Sequence, residues 1–276
     1  DGIYPTDADS FERNNLTLSG STKVKNFSMS GSLNYVNTSG KSVATGQGVT
    51  VYNNLMQIPV DIPITEFKDY NNKFHNIDNY YTPYGVANPY FTLNENGSRN
   101  AKERFYGSTE FSYEATKWLS FTYRLGLDSS SEHTRIWTAK IDATPGSPND
   151  GTTTEGPGSF AESIFSYKQV NHDILANFNF DLSEKVKLIA SAGFNINDEK
   201  YNNFAASVAS QDLPGFYALT NSTEIPTVSS VDTKRKIYAL YETATVSYDD
   251  QIYLTANVRN DWYSTCLLYT SDAADE

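Results

Sequence analysis

The side chains best suited to metal or proton-transfer chemistry are three histidines, His75, His133 and His172, scattered along the chain. No HExxH pair or other ligand spacing joins them, so they read as loop or strand-entrance residues. Carboxylates are plentiful, yet nothing in the sequence sets two of them as acid and base across a bond. There is no glycine-rich phosphate loop between a strand and a helix and no nucleophile elbow. Asp69, Asn71, Asn72, Asn76 and Asp78 offer oxygens that suit Ca²⁺, but they fit no EF-hand register, and a solvated polar loop is the simpler reading. The residues therefore predict no enzyme, no cofactor and no metal. Binding chemistry has more support, because Tyr80, Tyr81, Tyr84, Tyr90 and Phe91 crowd into one segment. Their ring faces, with Asn and Asp nearby, could stack on and hydrogen-bond a sugar or peptide. The plainer alternative is that these rings pack the segment against its neighbours.

What would position them is a set of hairpins. Residues 237–248 (IYALYETATVSY) and 252–262 (IYLTANVRNDW) alternate apolar and polar side chains and are joined by Asp249-Asp250-Gln251, a β-hairpin pattern. Ile252, Leu254, Ala256, Val258 and Trp262 share one face; Tyr253, Thr255, Asn257, Arg259 and Asp261 share the other. Tyr238 and Tyr248 bracket the apolar parity of the first strand, about 25 Å apart in height for a strand tilted by about 40°. An apolar band of that height between aromatic girdles suits a strand that crosses a bilayer. Glu242 falls on the apolar parity near mid-height, which is unfavourable unless it is protonated or the strand is bulged.

The same pattern occurs three more times. Residues 15–22 and 27–35, 105–113 and 118–128, and 172–180 and 186–196 each form two alternating runs around a short polar turn, giving eight strands in four hairpins. Leu119, Phe121, Tyr123, Leu125 and Leu127 make the cleanest apolar stripe, with Tyr113 and Trp118 beside the turn. Arg124, Arg259 and Asp261 fall on the opposite, polar parity. Connections of roughly 40 to 70 residues (37–102, 129–171 and 197–235) alternate with the short turns, far longer than compact soluble domains use. Short turns at one end and long connections at the other suit a transmembrane barrel. Within the long connections, residues 49–57 predict a short helix and residues 65–70 another with Thr65 as N-cap. Residues 145–158 are rich in Pro and Gly breakers, and residues 213–217 read as irregular.

Composition agrees. The mean hydropathy of −0.52 leaves no room for helical spans, although it cannot register a barrel whose strands are half polar. A formal net charge of −12 argues against nucleic acid as a partner. One cysteine, Cys266, excludes an internal disulfide framework and a CxxC metal site. The first residues show neither a basic start nor an apolar run, so the sequence reads as cytosolic or as an internal piece of something longer.

Residues 55–63 (LMQIPVDIP), 87–96 (ANPYFTLNEN), 119–128 (LSFTYRLGLD) and 258–262 (VRNDW) together resemble the barrel of SusC/RagA-type TonB-dependent outer-membrane transporters. The likeness runs over residues 1–265 in matching order and spacing. It implies an all-β fold, a partial antiparallel transmembrane β-barrel with long extracellular loops, incomplete relative to a 22-stranded parent. It further implies the outer membrane of a Gram-negative bacterium, a SusD-like substrate-binding lipoprotein partner, and energy from the TonB complex through N-terminal segments that this piece lacks. The cargo would be an oligosaccharide or peptide, and the piece by itself would be transport-incompetent. In that family an N-terminal domain plugs the barrel, and Arg124, Arg259 and Asp261 would belong to the polar network between wall and plug, facing water in the piece alone. After residue 265 the pattern stops, and residues 266–276 (CLLYTSDAADE) resemble a translated sequencing adapter, which sets them outside the fold. Two other readings compete: a complete small eight-stranded outer-membrane barrel, and a secreted carbohydrate-binding β-sandwich whose site would be the loop aromatics.

Overall fold

The computed structural model describes residues 4, 6–43, 50–80 and 87–264. Eight strands follow one another as β1 (Ser10–Val24), β2 (Phe27–Ser42), β3 (Gly97–Glu114), β4 (Leu119–Thr138), β5 (Ser159–Asp181), β6 (Val186–Val208), β7 (Thr227–Tyr248) and β8 (Ile252–Tyr263). They form one sheet in chain order, each strand antiparallel to the next. Strands β1 and β8 are its two edges and do not pair with each other. The sheet is thus open, not a closed eight-stranded barrel. No second sheet packs on it among the described residues, which removes the sandwich.

All seven registers run without a break from end to end. Side-chain direction alternates strictly along a strand, so an unbroken register carries one parity across the whole sheet. Leu18, Leu33, Leu127, Val170 and Leu240 therefore stand on one face, and Arg124, Asp173, Asn195 and Asp261 on the other. The apolar face lies open: Phe121 is 45% exposed, Val258 68% and Leu254 74%. Glu242 stands on this face between its register partners Ala192 and Val258, so the strand is regular there and no bulge turns the carboxylate away.

The short-turn end is built for tight reversal. Lys25, Asp249 and Asp250 take φ of 54°, 51° and 53°, in the left-handed region that hairpin turns demand and Asp tolerates. Trp118 stacks on Phe180 beside the neighbouring turns, ring centroids 5.3 Å apart.

The strands are longer than their apolar alternation suggests. Strands β4, β5, β6 and β7 have 20, 23, 23 and 22 residues, whereas roughly 9–11 residues cross a bilayer. Beyond the apolar band they continue as polar ladders, through Ser129-Ser130-Ser131 in β4 and Asn202-Asn203 in β6. Two of the long connections shrink accordingly, to residues 139–158 and 209–226.

A small layer of loop structure caps the long-connection end. Helix α1 (Val51–Leu55) starts at Thr50, whose side chain accepts from the Asn53 N–H. The segment at 65–70 is a single 3₁₀ turn, Ile64–Lys68, entered from Pro63 and not capped by Thr65. Helix α2 (Pro89–Glu95) was not foreseen; Asn88 caps it by accepting from Tyr90 and Phe91 N–H, with Pro89 in its first turn. The buried apolar clusters are found here: Val43, Val51 and Leu93; Phe67, Tyr80 and Tyr90; and Phe91, Ala139 and Ile141.

Candidate functional site

The loop aromatics divide. Tyr80, Tyr90 and Phe91 are buried inside the loop layer, where Tyr80 meets Phe67 edge-on at 5.1 Å and Phe91 meets Tyr70 edge-on at 5.6 Å. Their rings are engaged in packing. Tyr81 and Tyr84 lie outside the described residues. Two asparagines hold this layer together. Asn88 donates to the carbonyls of Phe67 (2.9 Å) and His75 (3.1 Å); Asn149 donates to those of Ile77 (2.7 Å) and Tyr80. Burial pushes the Tyr80 hydroxyl up to about 12. Burial, followed by the charge and acceptor of Glu95, does the same to Tyr217.

Three of the five candidate metal ligands hold the loops together instead. Asn72 accepts from Phe74 N–H, Asn76 from Asn79 N–H, and Asp78 from the N–H and hydroxyl of Thr144. The histidines stand apart: His75 lies edge-on to Phe67, His133 contacts Glu162 at 2.5 Å, and His172 Nδ1 lies 2.8 Å from the Tyr123 hydroxyl. Among the described residues no group of His, Cys, Asp or Glu is placed to hold a metal.

A cleft of about 730 Å³ opens between α2 and the sheet. Trp137, Phe160 and Tyr217 wall it, and Lys41, Arg99 and Arg135 line it as direct cross-strand neighbours. Trp137 and Tyr217 lie 5.7 Å apart, and the Tyr217 hydroxyl donates to the Glu95 carbonyl at 2.9 Å. These sheet residues share the parity of the apolar stripe, so the cleft belongs to that side of the sheet. Sequence reasoning missed it, since its basic row comes from three strands and only the register aligns them.

The polar face carries two connected networks. Nearer the short turns, Arg124 donates to Glu110 (2.6 Å) and faces Asp173 at 3.6 Å. Asp173 also accepts from the Tyr241 hydroxyl (2.7 Å) and from Asn195 (3.4 Å). Arg259 stands over the Tyr241 ring at 5.7 Å and donates to Asp261 at 2.8 Å. Gly193 makes this geometry possible: a Cβ there would fall on the Tyr241 ring. Arg124 and Arg259, expected to face water, are thus half-exposed, Asp261 is less so, and all three are also paired within the wall.

Nearer the long connections, Arg104 grips Asp128 with two donors (2.8 and 2.5 Å) and lies over Tyr106 at 4.7 Å. Tyr167 donates to Gln169, Gln169 to Asn197, and Asn197 to Glu199, at 3.0, 2.8 and 2.9 Å. Glu199, 5% exposed, is also held by Arg235 at 2.9 Å. This face thus presents amides, phenols and ion pairs whose own needs are largely met. Such a wall can hydrogen-bond a polar surface sliding past it; no nucleophile or acid–base pair stands ready in it.

No known family pattern and no curated protein matches the chain. Solved structures do. The chain is similar to the RagAB peptide transporter, with a TM-score of 0.69 at 15% identity over 93% of this chain and 28% of that one. It is similar to the RagAB peptide importer in its open-open state, at 0.65, 17% identity and the same shares of 93% and 28%. It also resembles BauA, the ferric preacinetobactin receptor from Acinetobacter baumannii, at 0.53 and 12% identity over 96% of this chain and 36% of that one. The chain therefore has the fold of a part of such transporters and receptors, and spans well under half the length of either.

Proposed function

We propose that this chain forms part of the wall of a TonB-dependent nutrient importer in the outer membrane of a Gram-negative bacterium. On this reading the apolar face meets lipid, the polar face meets a plug and passing cargo, and the loop layer stands outside the cell. Residues 1–265 belong to this barrel on that reading, and residues 266–276, which resemble a translated sequencing adapter, stand outside it.

One observation carries the reading: the apolar stripe is kept in register across eight strands and no described residue covers it. An open apolar band of that extent is foreign to the surface of a soluble monomer. Between the aromatic levels of Tyr238 and Tyr248 it matches the thickness a bilayer requires. The likeness to the RagAB peptide transporter supports a peptide cargo; a SusD-like lipoprotein partner and an oligosaccharide as the other cargo are what the sequence resemblance implies. Among the loop aromatics, Tyr80, Tyr90 and Phe91 shape the extracellular layer from within, and Tyr81 and Tyr84 are the rings we assign to cargo contact.

The test is a quenching scan on the intact protein in bilayers, with single-cysteine probes at Leu125 and Ala256 against Thr122 and Asn257. Bilayer-dissolved quenchers should reach the first pair and spare the second. Shielding of Leu125 and Ala256 would sink the membrane reading.

A further inference from the structure

Lys168, Lys200 and Lys234 are direct register partners on β5, β6 and β7. They stand on the same face as the apolar stripe, just past its end on the long-connection side, and all three are exposed. Opposed side chains on neighbouring strands lie about 5 Å apart, where like charges repel. The neighbouring cations are neutralised. One row closer to the stripe, Lys236 pairs with Asp198 at 3.2 Å; on the polar face Arg104 pairs with Asp128 and Arg235 with Glu199. The three lysines have no ion pair or hydrogen bond among the described residues.

They border a groove of about 470 Å³ together with Phe105 and Ser129. Two carboxylates also line it; each keeps its charge, held by a neutral donor and not by a lysine: Asp232 accepts from Asn202 at 2.6 Å, and Glu103 from the Tyr35 hydroxyl at 3.3 Å. In a chain of net charge −12, three adjacent cations in no direct ion pair keep their ammonium donors free for an external anion.

We propose that this lysine row binds the phosphate of a lipid headgroup at the long-connection edge of the bilayer. The inference rests on the lipid-facing reading of the apolar stripe. Position favours a lipid over a free anion: directly below Lys168 stand Val170 and Leu127, and below the Asp198–Lys236 pair stands Tyr238, so the acyl chains of a lipid seated on the row would run onto the stripe. The row then does for the headgroup what the stripe does for the chains.

The experiment uses the intact protein in phosphatidylcholine nanodiscs doped with bisphosphorylated lipid A or its dephosphorylated form, with retained glycolipid read by native mass spectrometry. The wild type should retain the phosphorylated form preferentially. Replacing all three lysines (Lys168→Gln, Lys200→Gln, Lys234→Gln) should weaken retention about a hundredfold, at about fivefold per lysine. Lys185→Gln at a short turn should change nothing, and the triple Lys→Arg variant should keep binding, which separates charge from folding. Equal retention of both glycolipids, or full competition by inorganic phosphate at matched concentration, would overturn the proposal. A probe at Leu254 read with bilayer quenchers in the same discs tells the two readings apart. A quenched probe without phosphate preference sinks this inference alone, and an unquenched probe sinks both.

Discussion

Gly193 and Tyr241 face each other across β6 and β7, and the missing side chain of one lets the ring of the other reach Asp173 on β5. Gly193→Ala should force the ring aside and cost about 1–3 kcal/mol, and Tyr241→Phe about 1 kcal/mol for the lost hydrogen bond. Melting of the intact protein in detergent reads both, and an unshifted transition for Gly193→Ala would refute the packing argument. Tyr80 is different: its hydroxyl is buried with no partner among the described residues. Removing it in Tyr80→Phe should be neutral or stabilising, because no bond is lost and an unmet polar group disappears. Both Tyr80 and Tyr217 are raised from 10.0 to about 12. Each folded-state value lies above the unfolded one, so their neutral forms stabilise the loop layer fully below about pH 10, and that contribution fades as pH climbs toward 12. Tyrosinate absorbance and Trp137 fluorescence should therefore show the loop layer loosening in that window. Ionisation of all tyrosines at the ordinary value would contradict the burial.

Among the elements, the strands decide which polar groups the apolar face tolerates. His172 stands on that face, and its ring finds the Tyr123 hydroxyl on the adjacent strand at 2.8 Å. Paired polar groups of this kind survive where water is scarce. Glu242 has no such partner in β7 or β8 and flanks Val258 in a regular ladder, so Glu242→Leu should stabilise the wall. Leu125→Arg near mid-band should cost roughly 2–4 kcal/mol, whereas Asn257→Arg on the polar face should cost little. Reversible unfolding of the intact protein in lipid measures all three, and equal penalties for the two arginines would mean that the faces are not distinguished by solvent. The polar upper halves of β4 to β7 carry the sheet well beyond the bilayer. They also bring Lys168, Lys200 and Lys234 into one row.

At the scale of the whole molecule, the sheet has two unpaired edges and an uncovered apolar face. Residues of β1 are exposed along its entire length, and Ile252, Leu254 and Val258 of β8 are among the most exposed apolar side chains. Open edges recruit other strands, and wide apolar surfaces recruit each other. The isolated 276-residue chain should therefore aggregate in water and disperse only in detergent. Light scattering would show it, and a monodisperse monomer with a cooperative melt in plain buffer would overturn the expectation.

Eight strands, their order and the two faces were legible from the sequence, because alternation with period two is imposed by the backbone itself and an unbroken register copies it across the sheet. Helix α1 was legible within residues 49–57, although the structure caps it at Thr50 and ends it at Leu55. The upper strand halves were not: Ser, Asn and Lys on both faces erase the period that marks a strand, so those segments read as loop. Helix α2 was missed although Asn88 and Pro89 are a strong start signal, because the aromatics behind them drew the binding interpretation. Whether those aromatics are exposed or buried was equally illegible, since burial of Tyr80 and Tyr90 depends on Phe67 and Asn149, and that of Phe91 on Ala139 and Ile141, brought from elsewhere in the chain. The sequence by itself determined which side chains share a face, for that needs only the geometry of neighbouring residues. The tertiary structure alone decided which charges meet, because the pairing of Arg124 with Asp173 and the crowding of three lysines follow from registers between strands far apart in sequence.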